Sequence, residues 1–510
     1  MKISYNWLND YLNLTISPEQ TSEILTDIGL EVEKTEIVES IKGGLKGLVI
    51  GEVLEVEKHP GADKLNKTRV NIGEEILNIV CGAPNVQQGQ KVVVATVGTV
   101  LYTESGESFK IKKSKIRGEE SAGMICAEDE IGIGKSHEGI MVLDSSAKIG
   151  LPAAEYFDLK NDTVFDIGLT PNRADAMSHF GVARDLMVAL KHKNILPKEA
   201  QCCSPSVSAW KVDNTNRTIT IDIKDPEACP RYAGVTLSGL TVKDSPEWLQ
   251  KRLEAIGLAP INNIVDATNF VLHELGQPLH AFDADKIKGD QIIVKHASDK
   301  QKFITLDESE RELHSEDLMI CNIEEPMCIA GVFGGLESGV TESTTSIFLE
   351  SAYFNPVSVR KTAKRQGLNT DASFRFERGI DPETVVYALQ RAALLIKEIA
   401  GGTISSEIQE FYPVQIQNHR VSFNYDNCTR LIGTNISEKI IDSILEDLQI
   451  KQLSKSGKDL ELEVPAFRND VLREADITEE ILRIFGFNNV PVPSKLNTSI
   501  THKDKTDSRA

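Results

Sequence analysis

Apolar positions recur every three or four residues in some stretches of the chain and alternate in others, so helices and strands are both expected in quantity. The clearest helix is expected to be capped by Asp381-Pro382. There Val385, Leu389, Ala392 and Ile396 fall on one face and Gly401-Gly402 ends the element. Another helix starts at Ser17, with Pro18 at its first position and Gln20 completing a capping box, and stops at Gly29. Between residues 40 and 151 the pattern shifts to short β-rich runs (Leu48 to Val56, Lys67 to Ile72, Ile76 to Cys81, Lys91 to Val97) punctuated by glycine, as in a small OB-like barrel. From 205 to 402 strands alternate with helices.

The segment Ile16 to Leu30 reappears, ungapped, as Ile436 to Ile450, with Ile24/Ile444, Leu25/Leu445, Asp27/Asp447 and Ile28/Leu448 matched. The second copy is expected to cap with Ser437 alone. Downstream of it, Pro465-Ala466-Phe467-Arg468-Asn469-Asp470 has its counterpart in Thr170-Pro171-Asn172-Arg173-Ala174-Asp175, which lies much farther from the first helix. An insertion explains the difference. The expected architecture is therefore an α+β multidomain chain: a split N-terminal domain (1–39 and 152–200), an OB-fold barrel inserted in it (40–151), a central α/β module (205–402), a second small α+β domain related to the first (408–490), and a polar tail (491–510).

Length and charge narrow the function. At 510 residues the chain is too long for one core. No apolar stretch approaches the roughly 20 residues of a membrane span, and Asn6, Asn9 and Asp10 interrupt any secretory core, so a cytoplasmic protein without membrane association is expected. The eight cysteines show no CxxC spacing and read as reduced thiols. A net charge of -20 opposes non-specific nucleic-acid binding, so RNA contact must be patchy. Two patches qualify: Lys110, Lys112, Lys113, Lys115 and Arg117, and Arg360, Lys361, Lys364, Arg365, Arg375 and Arg378. A solvated face is the alternative for each.

Specific motifs come next. Lys58-His59-Pro60-Gly61-Ala62-Asp63-Lys64-Leu65, Cys81-Gly82-Ala83-Pro84-Asn85 and Gly123-Met124-Ile125-Cys126 resemble the tRNA-binding barrel appended to several synthetases. With Asp266-Ala267-Thr268-Asn269, Gly276-Gln277-Pro278-Leu279-His280-Ala281-Phe282-Asp283, Ala330-Gly331-Val332-Phe333-Gly334-Gly335, Leu349-Glu350-Ser351 and Thr370-Asp371-Ala372-Ser373-Phe374-Arg375, the chain resembles the beta-subunit family of bacterial phenylalanyl-tRNA synthetases. That resemblance implies binding of tRNA(Phe), an α2β2 assembly with an alpha subunit that makes phenylalanyl-tRNA from ATP, phenylalanine and tRNA, and a central module that hydrolyses mischarged tyrosyl-tRNA(Phe). ATP is then used by the assembly and not bound by this chain alone. No P-loop pattern is present.

Such a second site has a physical reason. A hydrophobic pocket rejects an isostere that merely adds a hydroxyl by only about 100-fold, whereas a site built to hydrogen-bond that hydroxyl discriminates strongly. Glu350 suits the hydroxyl. By resemblance Thr268, Asn269, Pro278, His280, Ala330, Gly331, Gly334, Glu350, Thr370 and Ala372 line the pocket. His280 or Asn269, with backbone N–H groups near Gly331, could orient water and hold the oxyanion; for His280, proton transfer and positioning both stay open. His273-Glu274 with His280 lacks H-E-x-x-H spacing, which excludes a zincin.

In the helix around Ile477, Ile481 and Ile484, spacing puts Asp476 beside Glu479 and Glu480, with Asp470 upstream. This is a solvated acidic face or a Mg2+ site; the resemblance favours Mg2+ on Asp470, Asp476, Glu479 and Glu480, shared with the alpha subunit. Family members usually continue for some 300 residues beyond this chain. A tRNA-binding or assembly scaffold without hydrolysis is the alternative function, and a DNA binder is disfavoured because neither repeat is strongly basic.

Overall fold

The structure, a computed structural model, describes residues 1–102, 107–134 and 136–492. The expected polar tail therefore lies outside the described residues from 493 on. The chain divides into two compact units, Glu36–Thr163 and the remainder, Met1–Thr35 with Val164 onward. Its mixed α+β, multidomain class is as expected.

The inserted unit is built on a coiled antiparallel sheet. Its long strand Leu48–Lys58 pairs with Asn66–Asn71 on one side and Lys91–Thr96 on the other, with an irregularity between Val53 and Glu55. Ile76–Cys81 extends one end and Gly123–Ile125 the other. The two ends meet where Ala122 N–H donates to the Asn78 carbonyl at 2.8 Å, giving a near-barrel consistent with an OB-fold. Alternating residues supply its interior: Val53, Val70, Ile79, Val92 and Val94 are all essentially buried.

In the larger unit, the N-terminal strand Lys2–Ser4 pairs with Asp162–Gly168 and helix Pro18–Asp27 follows with the expected box: Gln20 N–H donates to Ser17 Oγ at 3.3 Å and Ser17 N–H to Gln20 Oε1 at 3.1 Å. The second copy, Glu438–Asp447, differs. Ser437 makes no side-chain cap bond, and Gln449 takes the left-handed conformation (φ 62°) that Gly29 takes in the first copy (φ 86°).

The central module has two sheets. In the first, Ser346–Tyr353 lies between Leu279–Asp283 and Arg231–Ser238, all antiparallel. Ile347, Leu349, Ala233, Val235 and Ala281 share one core with helices Asn263–Leu275 and Thr384–Ala400, while Tyr232, Phe282, Phe348 and Ala352 share another with Ile320, Ile329 and Val332 of the second sheet region. The central strand is thus buried on both faces, and the face holding Phe348 and Ala352 also holds Glu350. The helix expected to be capped by Asp381-Pro382 is Thr384–Ala400, with Val385, Leu389, Ala392 and Ile396 fully buried. Its cap position is instead Glu383, which makes no side-chain cap bond, the Asp381 carboxylate accepting from the Thr384 hydroxyl at 3.0 Å.

Candidate functional site

His280 and Glu350 are direct partners across the antiparallel pair Leu279–Asp283 and Ser346–Tyr353, and Gly234 stands opposite Glu350 on the other neighbour. Their side chains therefore project from one face of the sheet. Gly334, on the strand Phe333–Gly334 of the second sheet, comes down on the imidazole: a Cβ there would sit 3.0 Å from His280 Cε1 and 2.8 Å from Leu306 Cδ1. Gly234 leaves room for Phe348, whose ring a Cβ would meet at 2.0 Å. The site sits between two sheets, and glycine on each permits the approach.

Burial dominates its electrostatics. Glu350 is 5% exposed, and burial pushes its carboxyl up to about 8, opposed by the nearby Tyr232 hydroxyl. Burial pulls His280 down to about 4, so its ring is neutral at pH 7. The phenol of Tyr232 and the thiols of Cys229 and Cys328 are pushed well above their usual values by burial and, secondarily, by Glu350. Among the described residues, four polar atoms of this face have no hydrogen-bond partner: His280 Nε2, Glu350 Oε2, Tyr232 Oη and, beside Phe348, Thr236 Oγ1. Tyr232 lies close enough to act on Glu350 without a formed bond between them. Orphaned polar atoms are costly in a protein interior, and their convergence is characteristic of a site that completes its bonds with a ligand or water.

The other expected pocket residues fall into two sets. Thr370 caps helix Asp371–Phe376 and donates to the Val332 carbonyl at 2.9 Å, which ties it to the turn at Ala330 and Gly331. Gly331 has φ 68°, and a Cβ there would press on Phe354 and Phe376 at 3.0 Å, so the turn requires glycine. Ala372 packs on the same core. Thr268 and Asn269 lie on helix Asn263–Leu275; the Thr268 hydroxyl is spent on the Val265 carbonyl, and no hydrogen bond among the described residues joins either to His280 or Glu350. The Pro278 carbonyl accepts from Gln277 Nε2 at 3.1 Å. Tyr232 was not found by sequence reasoning, because it lies in a strand that reads as ordinary core.

The four carboxylates expected to hold Mg2+ do not converge; among the described residues no three His, Cys, Asp or Glu side chains could hold a metal ion. Arg468 grips Asp470 with two bonds, 3.1 and 3.2 Å. Arg473 and the backbone N–H groups of Leu472 and Arg473 occupy Asp476. Glu480 is buried against Arg468 and Arg483. As arranged, these residues do not fit a divalent cation. Only Glu479 presents an exposed carboxylate, so a cation there would need ligands from outside this chain.

On the barrel, Lys110, Lys112, Lys113, Lys115 and Arg117 are all exposed. Lys113 pairs with Glu120 at 3.2 Å, and Arg117 at the hairpin tip donates to the Gly61 carbonyl at 3.3 Å beside the His59-Pro60 motif. The second basic run is not one patch. Arg375 is 1% exposed and bonds Met177, Asp371 and His273, and Arg365 is paired with Asp317 and Glu316.

Family models match three stretches of the chain. Residues 48–152 match a putative tRNA binding domain, 228–401 a B3/4 domain and 421–487 a tRNA synthetase B5 domain. The class these descriptions point to is that of tRNA-binding and tRNA-synthetase modules. More narrowly, the chain is a relative of phenylalanine–tRNA ligase beta subunits: it is 56% identical to that of Bacteroides thetaiotaomicron over 508 residues and 52% identical to that of Porphyromonas gingivalis over 511, covering 99% and 100% of this chain. It spans 62% of the length of either relative. An N-terminal fragment of the phenylalanyl-tRNA synthetase beta subunit from Pyrococcus horikoshii aligns with 95% of this chain and 99% of its own at 14% identity, with a TM-score of 0.39. No helix among the described residues is long and apolar enough to cross a membrane.

Proposed function

We propose that this chain acts in the cytoplasm as the beta-subunit part of a phenylalanine–tRNA ligase, binding tRNA(Phe) and hydrolysing tyrosine wrongly attached to it. The observation that carries the reading is the buried pair His280 and Glu350, cross-strand partners that each keep a polar atom without a partner. Glu350 takes the hydroxyl of the misattached tyrosine. The ring of His280 is too weak a base at about 4 to drive proton abstraction near neutral pH, so it positions water or the ester, with Asn269 and backbone N–H groups near Gly331 as the further groups that orient water or hold the oxyanion. Thr268, Pro278, Ala330, Gly334, Thr370 and Ala372 shape the pocket. ATP-dependent aminoacylation belongs to the assembly with an alpha subunit, in α2β2 form, and any Mg2+ at the Glu479 end of this chain is completed by that partner; no step of the hydrolysis runs through either.

The test is release of tyrosine from tyrosyl-tRNA(Phe) by the chain, alone and with an alpha subunit, beside phenylalanyl-tRNA(Phe) and the Glu350→Ala variant. Selective release abolished by the substitution supports editing. A scaffold role, favoured by the exposed lysines of the barrel, predicts salt-sensitive tRNA binding with no release in any arm.

A further inference from the structure

Tyr232 is a further orphan of the central face, and none of the expected pocket residues accounts for it. It stands opposite Ala352 in the pairing of Arg231–Ser238 with Ser346–Tyr353, one place diagonally from Glu350. Diagonal neighbours on one face lie within reach of an aromatic side chain. Opposite Glu350 stands Gly234, whose missing side chain makes room for the Phe348 ring, and the phenol and carboxyl are near enough that each shifts the titration of the other. Tyr232 is 0% exposed, and its ring meets Phe354 edge-on at 6.5 Å. Buried tyrosine hydroxyls usually find a partner, as those of Tyr412 with Glu383 and Tyr425 with Asp442 do; Tyr11 Oη also lacks one, and what sets Tyr232 apart is the second unbonded oxygen on its own face. Here Oη stays unbonded beside an equally unbonded Glu350 Oε2.

We propose that Tyr232 is a specificity-determining residue that reads a phenolic hydroxyl jointly with Glu350. The substrate O–H donates to the carboxyl oxygen of Glu350, and the Tyr232 O–H donates to the substrate oxygen. A phenol offers one donor and an acceptor oxygen, so the pair matches both. Phenylalanine in the same place satisfies neither, and two buried groups stay unpaired instead of one. This inference rests on the editing reading above and extends it from one recognition group to two.

The variant is Tyr232→Phe, which keeps the ring and its packing and removes only the hydroxyl. The chain, with an alpha subunit present, is assayed for release from tyrosyl-tRNA(Phe) and phenylalanyl-tRNA(Phe), with Glu350→Gln in parallel. The expected result is a tyrosyl-over-phenylalanyl preference lowered roughly tenfold or more, with the phenylalanyl rate unchanged. A merely structural role would lower both rates in proportion, and that outcome overturns the proposal. So does an unchanged preference in Tyr232→Phe while Glu350→Gln loses it, which leaves the editing reading standing. If the unsubstituted chain releases neither amino acid, the editing reading itself falls and the phenol-reading pair falls with it.

Discussion

Arg173 and Arg468 make the same contacts in the two repeat domains. Each forks onto the aspartate two residues ahead, Asp175 and Asp470, and reaches an acid twelve residues ahead, Asp185 and Glu480. The two sets are joined by Arg483, which bonds Asp185 at 2.8 and 2.9 Å and Glu480 at 2.6 and 2.8 Å. The acidic residue that resembles a metal ligand is therefore half of a buried junction between the repeats. Charges removed from water are tolerated only when closely paired, and here Asp185 and Glu480 are each shared between two arginines.

Removing Arg483 should be severe. Arg483→Ala leaves Asp185 and Glu480 buried with lost partners, for an expected destabilisation of about 3–5 kcal/mol by denaturant unfolding. Glu480→Gln should also lower the melting temperature, and added Mg2+ should not restore it; recovery by Mg2+ would show that the carboxylate holds a cation rather than the two arginines.

The pH dependence of stability has two opposed components. His179 is buried, stacked on Trp7, and burial lowers it to about 3, so the unfolded chain binds a proton that the folded chain refuses between roughly pH 6.5 and 3. Stability should fall with acid across that window, and His179→Gln should flatten the fall. Glu350, raised to about 8, acts in reverse: the folded chain keeps a proton that the unfolded chain loses above about pH 4.5, so its contribution declines as pH rises to 8. The groups facing it are Tyr232, His280, Cys229 and Cys328, all neutral through this window. Glu350→Gln should therefore gain on the unsubstituted chain between pH 5 and 8, at up to ~1.4 kcal/mol per unit. Parallel melting curves for the two would contradict a protonated buried carboxyl.

How much of this was legible in the sequence depends on the range of the interaction. The apolar face of helix Thr384–Ala400 and the box of Ser17 with Gln20 are set by neighbours a few residues apart, and both are present as read, although the helix starts after Glu383 and not with a cap at Asp381-Pro382. Gln449 holds a left-handed turn that no local signal predicts, because the copy at Gly29 uses the usual residue. Arg375 looked like part of a basic surface; its burial depends on Met177 and His273, far away in the chain. The pairing of His280 with Glu350 is suggested only by resemblance, since strand register between positions 70 residues apart has no signature in either segment.

Gly334 offers a test of position rather than chemistry. Its backbone is not in a left-handed conformation, so alanine costs no torsional strain, but the added methyl meets His280 and Leu306 at or inside 3.0 Å. Gly334→Ala should shift the imidazole by a few tenths of an ångström or more. Tyrosyl-tRNA(Phe) hydrolysis should fall by roughly ten- to a hundredfold, with the melting temperature changed little. An unaltered rate would place the reacting ester away from His280.

The barrel lysines should act through charge alone. Lys110, Lys112 and Lys115 have exposed ammonium groups, and no ion pair holds them among the described residues. If they meet phosphates, each Lys→Ala should reduce the steepness of log affinity for tRNA against log salt by about 0.7–0.9. Lys113, paired with Glu120, should contribute less, because its ion pair must be broken first. Binding isotherms for the four single variants at several salt concentrations separate these cases. Four equal slopes, matching that of the unsubstituted chain, would move the tRNA contact off this hairpin.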